Sequence, residues 1–417
     1  MNTPGTNLSW ITIRKFVNDI HLWAGLISGI VLLIVCLTGT LYVYNTEIRE
    51  WAASHLYRVE VPPGQTRLAV ETILENGQKY IEGDITGLKI PYEANRSLQV
   101  TARAEGDLSR FGTTYFFNPY TAAYLGNSKE PNPAAEVMGK LFSLHRWLLL
   151  DKIEEPLIGG LENRKLGSYI TGSATILFTI GVLTGLIIWV PRKARYWRKG
   201  LKIKFDSNWK RINHDLHNTL AFYSALVLFL MGVTGPFWSF PWYREGLQKT
   251  LGTYQERREA KPEKSAATTN AAPKESGAMA LFPMEEYVEV ADLALGYKGS
   301  YSIDLPQKGA TDVRISKKRA GFFAPAASDQ VVVDAGTKAV KQVALFRDQP
   351  FNQRISRSIK ALHVGDVYGS FSKLLYFISC LIATSLPVTG TLIWINKMKK
   401  KKQTRKPAKG RETVTSY

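Results

Sequence analysis

Four histidines stand where an imidazole can do chemistry. His21, in Asp19-Ile20-His21-Leu22-Trp23, opens an uncharged apolar run that reaches Leu37-Thr38-Gly39-Thr40. His217, in Asp215-Leu216-His217, opens a second run that reaches Thr234-Gly235. Leu144-His145 precedes Thr184-Gly185-Leu186-Ile187-Ile188-Trp189, and Leu362-His363 precedes Thr389-Gly390-Thr391-Leu392-Ile393-Trp394. Neutral imidazole is a common ligand for iron. Ionisable side chains at the mouth of a membrane helix are costly to desolvate and are functional candidates by default.

The elements that carry these histidines repeat. Sliding the chain by 196 positions lays Arg14, Lys15, Asp19, Ile20 and His21 over Lys210, Arg211, Asp215, Leu216 and His217, and Thr38-Gly39 over Thr234-Gly235, without a gap. The second pair, at His145 and His363, repeats more loosely, as if residues had been inserted around Pro156 to Arg164. This pattern predicts an internal duplication, and in membrane proteins sites tend to lie between the repeated halves.

The 417 residues are 45% hydrophobic and 21% charged, too polar for a chain that is all membrane. Four apolar runs, about 20–44, 168–190, 218–240 and 371–395, are long enough to cross roughly 30 Å of hydrocarbon at about 1.5 Å per residue. The first has too long an apolar core for a cleavable signal peptide. The net charge of +19 is concentrated beside the spans, from Arg192 to Arg211 and from Lys397 to Arg411, which points to lipid headgroups and not to nucleic acid. The positive-inside rule then places both chain ends in the cytoplasm.

The resulting order is a cytoplasmic N-terminus (1–17), a first span (18–44), an outer module (45–135), a helical lead-in with His145 (136–167) and a second span (168–190). A basic loop (191–213), a third span (214–240), a linker (241–280), a second outer module (281–350), a lead-in with His363 (351–370), a fourth span (371–395) and a basic tail (396–417) follow.

Each outer module reads as a helix followed by an antiparallel sheet. Helical spacing over Arg67 to Tyr80 precedes strands at Ile85–Ile90, Ser97–Thr101 and Thr114–Phe117, then the turn Asn118-Pro119-Tyr120-Thr121 and one more short strand. A helix over Met284 to Leu295 precedes strands at Tyr301–Leu305, Asp312–Ser316 and Val331–Val333, then the turn Asp334-Ala335-Gly336-Thr337. Glu256 to Gly277, rich in Ala, Lys, Glu, Pro, Ser and Thr, has the composition of a mobile linker.

These features together resemble the PepSY-associated transmembrane family of bacterial inner-membrane proteins, often called iron-regulated membrane proteins, which includes FoxB-like siderophore reductases. The resemblance rests on the four Thr-Gly spans, the Leu-His lead-ins and the two PepSY-like closing turns, of which the first has Asn118 in place of the usual aspartate. It implies a membrane α-helical fold with two periplasmic α+β PepSY-like modules. It also implies two haem b groups between the helices and reduction of a ferric siderophore on the periplasmic side, during iron uptake.

A haem between helices needs one histidine from each side. Approximate depth sorts the ligands into His21 with His217 and His145 with His363, other pairings remaining open, with His214 an alternative to His217. Arg14, Lys15 and Arg211 at one end, and Arg146, Arg354 and Arg357 at the other, are candidates to hold propionates, with lipid or solvent contact as their other use. Tyr115, Phe116, Tyr120, Phe322 and Phe323 are available to line a substrate cleft. Asp19 and Asp215 are expected to cap helices, and His55 to lie in a surface segment.

The Thr-Gly motifs are expected to serve close helix packing, or to leave room for a flat macrocycle. Cys36 and Cys380 form neither CxxC nor CxxCH, which argues against covalent haem attachment. No Gly-rich phosphate loop follows a strand, so the electron donor is expected to be a quinol or a separate reductase. The competing readings are a non-enzymatic membrane protein that binds a periplasmic protein or peptide, and a conduit for haem or iron.

Overall fold

The computed structural model describes residues 10–107, 112–191, 194–256, 283–306, 310–321 and 327–404. Phe322, Phe323, most of the expected linker and the end of the basic tail lie outside the described residues.

Helix α1 (Trp10–Tyr42) is followed by short helices α2 (Asn45–Ala52) and α3 (Ser54–Tyr57), and then by α4 (Val70–Gly77). Helix α5 (Pro133–Trp147) leads into α6 (Asn163–Trp189), and the single turn α7 (Trp197–Gly200) into α8 (Trp209–Thr234). The second half adds α9 (Pro241–Thr250), α10 (Met284–Ala294), α11 (Phe351–Arg357), α12 (Ile359–Val364) and α13 (Gly369–Thr404).

Four segments, Thr12–Tyr42, Asn163–Trp189, Trp209–Trp238 and Gly369–Lys400, are long and apolar enough to cross a membrane. They start before the apolar runs because hydropathy marks the hydrocarbon and not the hydrogen-bonded helix. The Asn208 side chain, for example, accepts from the Arg211 amide and caps α8 among polar residues. Asp215 therefore lies inside a helix and Asp19 inside α1, so neither performs the capping expected of it.

The linker expectation for 241–280 also needs correction. Its first ten residues are helix α9, which begins with Pro241 in the first turn, where a missing amide costs nothing. The Tyr243 hydroxyl ties this helix back to the Val233 carbonyl at 2.8 Å.

The strands β1 (Asp84–Ile90), β2 (Leu98–Arg103), β3 (Thr113–Phe117) and β4 (Tyr124–Asn127) form one antiparallel meander. A second is formed by β5 (Gly299–Asp304), β6 (Asp312–Arg319), β7 (Asp329–Asp334) and β8 (Val340–Ala344). The two are not separate modules. Strands β1 and β5 pair antiparallel, from Gly87 opposite Asp304 to Ile90 opposite Tyr301, and give a single eight-stranded sheet in the order β4-β3-β2-β1-β5-β6-β7-β8. Each meander alone would expose an unpaired strand edge at this position, and the seam removes both.

One apolar core spans the seam. Val100 and Ala102 of one half and Val313, Ile315, Val331 and Val333 of the other are all fully buried. Helices α4 and α10 cover them with Ile73 and Tyr287. The two helices cap each other, the Glu285 carboxylate accepting from the Val70 amide and the Glu71 carboxylate from the Met284 amide.

The closing turns share one backbone design. Asn118 and Asp334 each accept from the amide four residues on, and that fifth residue, Ala122 or Lys338, is left-handed with φ 56° or 58°. Asp334 also accepts from the Gly336 and Thr337 amides and pairs with Lys341 at 2.7 Å, which holds its carboxyl down at about 2. Among the described residues, the Asn118 side chain accepts from the Tyr120 amide alone, at 2.9 Å.

The sheet is fastened to the bundle behind α1. Arg96 makes a two-pronged bond to Glu50 on α2, at 2.7 and 3.0 Å, and Ala53 and Leu56 pack on Phe116.

Candidate functional site

The helices bring the four histidines together as two pairs. Away from the sheet, the rings of His21 on α1 and His217 on α8 have centres 6.3 Å apart and planes crossed at 81°. Towards the sheet, the rings of His145 on α5 and His363 on α12 have centres 6.4 Å apart and planes at 62°. Two imidazoles on opposite sides of one metal ion have centres about 6 Å apart, from a metal–nitrogen bond of about 2.0 Å plus about 1.1 Å to each ring centre. Both pairs have this spacing. His214, by contrast, is exposed and bonded to Asn218 at 3.0 Å, so His217 and not His214 is the member of the far pair.

Each ring is held by a helix other than its own. The His21 Nδ1 lies 3.0 Å from the Gly181 carbonyl and 3.2 Å from Thr184 Oγ1 of α6. The His145 Nδ1 lies 2.8 Å from the Val35 carbonyl and 3.3 Å from Thr38 Oγ1 of α1. The His217 Nδ1 lies 2.9 Å from Thr389 Oγ1 of α13, and its ring also meets the Leu386 carbonyl. The His363 Nδ1 lies 3.0 Å from Thr234 Oγ1 of α8, and its ring meets the Met231 carbonyl.

The glycine that follows each threonine makes room for the ring. A Cβ on Gly185, Gly39 or Gly390 would stand 3.1 Å from the Cε1 of His21, His145 or His217, and one on Gly235 would stand 3.4 Å from that of His363. The Thr-Gly motifs are thus histidine seats: a carbonyl, a hydroxyl one turn on, and a side-chain-free gap. At Gly39, Gly185 and Gly390 this corrects the expectation of close helix packing, whereas Gly235 also meets Thr175 of α6, at 3.0 Å, and serves both. The seats could have been found in the sequence, because one occurs in every span at a matching position. What the sequence lacks is the rotation of each helix, which decides what the gap faces.

Helices α1 and α8 each carry a paired histidine at one end and a seat at the other. His21 and Thr38, and likewise His217 and Thr234, are 17 residues apart.

A cavity of about 310 Å³ opens between His21 and His217, walled by Phe178, Trp189, Phe222 and Leu228, with Asn18, His214, Asn218 and Lys397 at its polar rim. Its size and apolar lining suit a flat hydrophobic ligand with a few polar ends. Beside the other pair, Trp238 sets its ring 5.2 Å from that of His363. Burial lowers the pKa of His145, and burial with the His145 ring pushes His363 down to about 4, so both imidazoles stay neutral, the metal-binding form.

Four of the six expected cations, Arg14, Arg211, Arg146 and Arg357, have protein partners. Arg14 donates to the Ile188 and Val190 carbonyls, at 2.7 and 3.2 Å, where the C-terminal end of α6 favours positive charge. Arg211 Nε donates to Asp215 at 2.9 Å, and Lys15 is exposed. Lys397 replaces all three at the cavity rim. On the other side, Arg146 donates to the Trp238 carbonyl at 3.3 Å and lies over the Trp147 ring, and Arg357 donates to the Ser328 carbonyl at 3.3 Å. The buried Nε of Arg354 makes no hydrogen bond to the described residues.

The described aromatics expected to line a cleft do not. Tyr115, Phe116 and Tyr120 are buried, at 4%, 2% and 8% exposure, because β3 and its closing turn are enclosed by helices. The sequence reading also passed over Lys373, buried on α13 with its Nζ 2.7 Å from Glu47 and 3.9 Å from Asp366, which ties the α12 end to α2. His55 is exposed on α3.

The family model for the PepSY-associated TM region matches residues 19–397. No curated protein matches the chain. The matched stretch runs from just before His21 to Lys397 at the cavity rim, and so takes in both pairs and all four seats.

Proposed function

We propose, from the premise that this multi-pass membrane chain belongs to the PepSY-associated transmembrane family, that it is a di-haem b oxidoreductase carrying electrons across a bacterial inner membrane to a ferric siderophore. The observation that supports this most is the pair of histidine couples at 6.3 and 6.4 Å, set at different depths of one bundle. His21 with His217 would hold one haem, and His145 with His363 the other. Haem iron supplies one-electron transfer between the ferric and ferrous states.

The chain's own residues do the rest. The seats keep each imidazole oriented, Phe178 and Leu228 keep water from the far site, and Lys397 offers charge to a propionate at its rim. Arg354, with its buried Nε, is the corresponding candidate on the sheet side. The repeated seats and the two matching meanders favour an origin by duplication. The basic flanks favour cytoplasmic termini, with the sheet in the periplasm.

Iron in a siderophore is held by hard oxygen ligands that suit Fe(III) better than Fe(II), so one electron per iron weakens its hold. The electron comes from a membrane quinol or a separate reductase. A pyridine haemochrome assay should give two haems per chain, and dithionite-reduced protein should be reoxidised by a ferric hydroxamate faster than by ferric citrate. One haem or none would overturn the two-site reading. Equal or negligible rates with every chelate would overturn the siderophore.

A further inference from the structure

We infer that Thr38, Thr184, Thr234 and Thr389 are positioning residues that, with the carbonyls three positions before them, hold all four imidazoles in the Nδ1–H tautomer and leave every Nε2 lone pair for a metal. A hydroxyl has one hydrogen to give. In each seat it is already given to the helix's own backbone: Thr38 to Ile34 at 2.8 Å, Thr184 to Ile180 at 2.7 Å, Thr234 to Leu230 at 2.7 Å and Thr389 to Ser385 at 2.9 Å. The threonine oxygen therefore meets the ring with a lone pair. The Gly181, Val35, Leu386 and Met231 carbonyls can only accept. An imidazole nitrogen that faces only acceptors must carry the proton, and the other nitrogen of the neutral ring is then unprotonated.

The seats differ in how close the hydroxyl stands. His21 and His145 lie nearer the carbonyl, at 3.0 against 3.2 Å and 2.8 against 3.3 Å. His217 and His363 have hydroxyl contacts of 2.9 and 3.0 Å, shorter than either of the other two. Each pair thus joins one ring with a long hydroxyl contact to one with a short hydroxyl contact. Hydrogen bonding to the far nitrogen makes a ligand imidazole more basic and stabilises the higher metal charge. Removing the acceptor should raise the reduction potential of the iron, more at Thr234 and Thr389 than at Thr38 and Thr184.

The tautomer stands on this chain alone, whereas the potential rests on the proposed haem binding, and two measurements separate them. Nitrogen NMR of the full chain in detergent, labelled with ¹⁵N-histidine and free of haem, should show the four seated rings protonated at Nδ1. Protonation at Nε2 in these rings would overturn the inference. Redox titration of the haem-loaded protein should show an upward shift in Thr234→Val and Thr389→Val, a smaller one in Thr38→Val and Thr184→Val, and recovery in Thr234→Ser and Thr389→Ser. Unchanged potentials in all four valine variants would overturn the positioning role. Failure to bind haem at all would overturn the proposed function and leave the NMR result to decide the tautomer.

Discussion

The two histidine pairs have nearly the same ring spacing but are built from different parts. His21 and His217 sit on the long helices α1 and α8 themselves. His145 and His363 sit on α5 and α12, which end just after them at left-handed residues, Leu148 with φ 55° and Gly365 with φ 80°. The far pair is therefore placed by helices packed along their whole length. The near pair is placed by short pieces of chain that also have to reach the sheet, through α5 directly after β4 and through α11 and α12 after β8. The same ring spacing is reached once by rigid packing and once by termination of a helix at the right residue.

The strongest way to break this comparison is to remove ligands. His145→Ala or His363→Ala should lower haem content from two per chain to one, with the far site intact, and His21→Ala or His217→Ala should do the reverse. Loss of both haems from any one variant, read by haemochrome assay, would mean that the pairs are not independent.

A smaller effect is expected at the seats. Alanine at Gly39, Gly185 or Gly390 puts a methyl 3.1 Å from a ring carbon, and the overpacking should cost about 1–3 kcal/mol, or roughly five- to 150-fold in haem retention. Gly235→Ala stands farther from its ring, at 3.4 Å, but 3.0 Å from Thr175 Cγ2 of α6, so it should loosen haem less than the other three and strain the contact with α6 instead. Dilution-driven haem loss from the four variants would test that order, and an equal loss from all four would contradict it. The subtlest difference is spectroscopic. Ring planes crossed at 81° leave the iron orbitals closer to degenerate than planes at 62°, so the far haem should give the more anisotropic low-spin ferric EPR signal. Two superimposable signals would remove the distinction.

Much of this was readable in advance, and the rest was hidden for identifiable reasons. The spans, seven of the eight strands and the grouping of histidines by depth follow from apolar runs, alternation and the offset of 196, all local properties of the chain, whereas β8 is missed because its residues are almost all exposed and show no buried alternation. The seam between β1 and β5 joins strands more than two hundred residues apart, and no local pattern announces which edge will find which. The role of Thr184 depends on the rotation of α6 about its axis, which hydropathy leaves open on a helix with apolar residues all round. Tyr115 and Phe116 looked available for a cleft because aromatic side chains read alike whether they pack or bind. Arg14 was drawn to a helix end that the sequence could place in depth but not beside it.

The 17-residue interval on α1 and α8 has a consequence for how such a chain can vary. A helix with a paired histidine at one end and a seat at the other works as a ruler, about 26 Å long at about 1.5 Å per residue, and two rulers of equal length fix the gap between the pairs. What lies between the marks is read only as length. Replacing one apolar residue there by another leaves the gap unchanged, whereas adding a single residue turns one end by about 100° relative to the other and misaims a ligand or a seat. Drift in composition along these helices is thus cheap, and a change in residue count between His21 and Thr38, or between His217 and Thr234, is not.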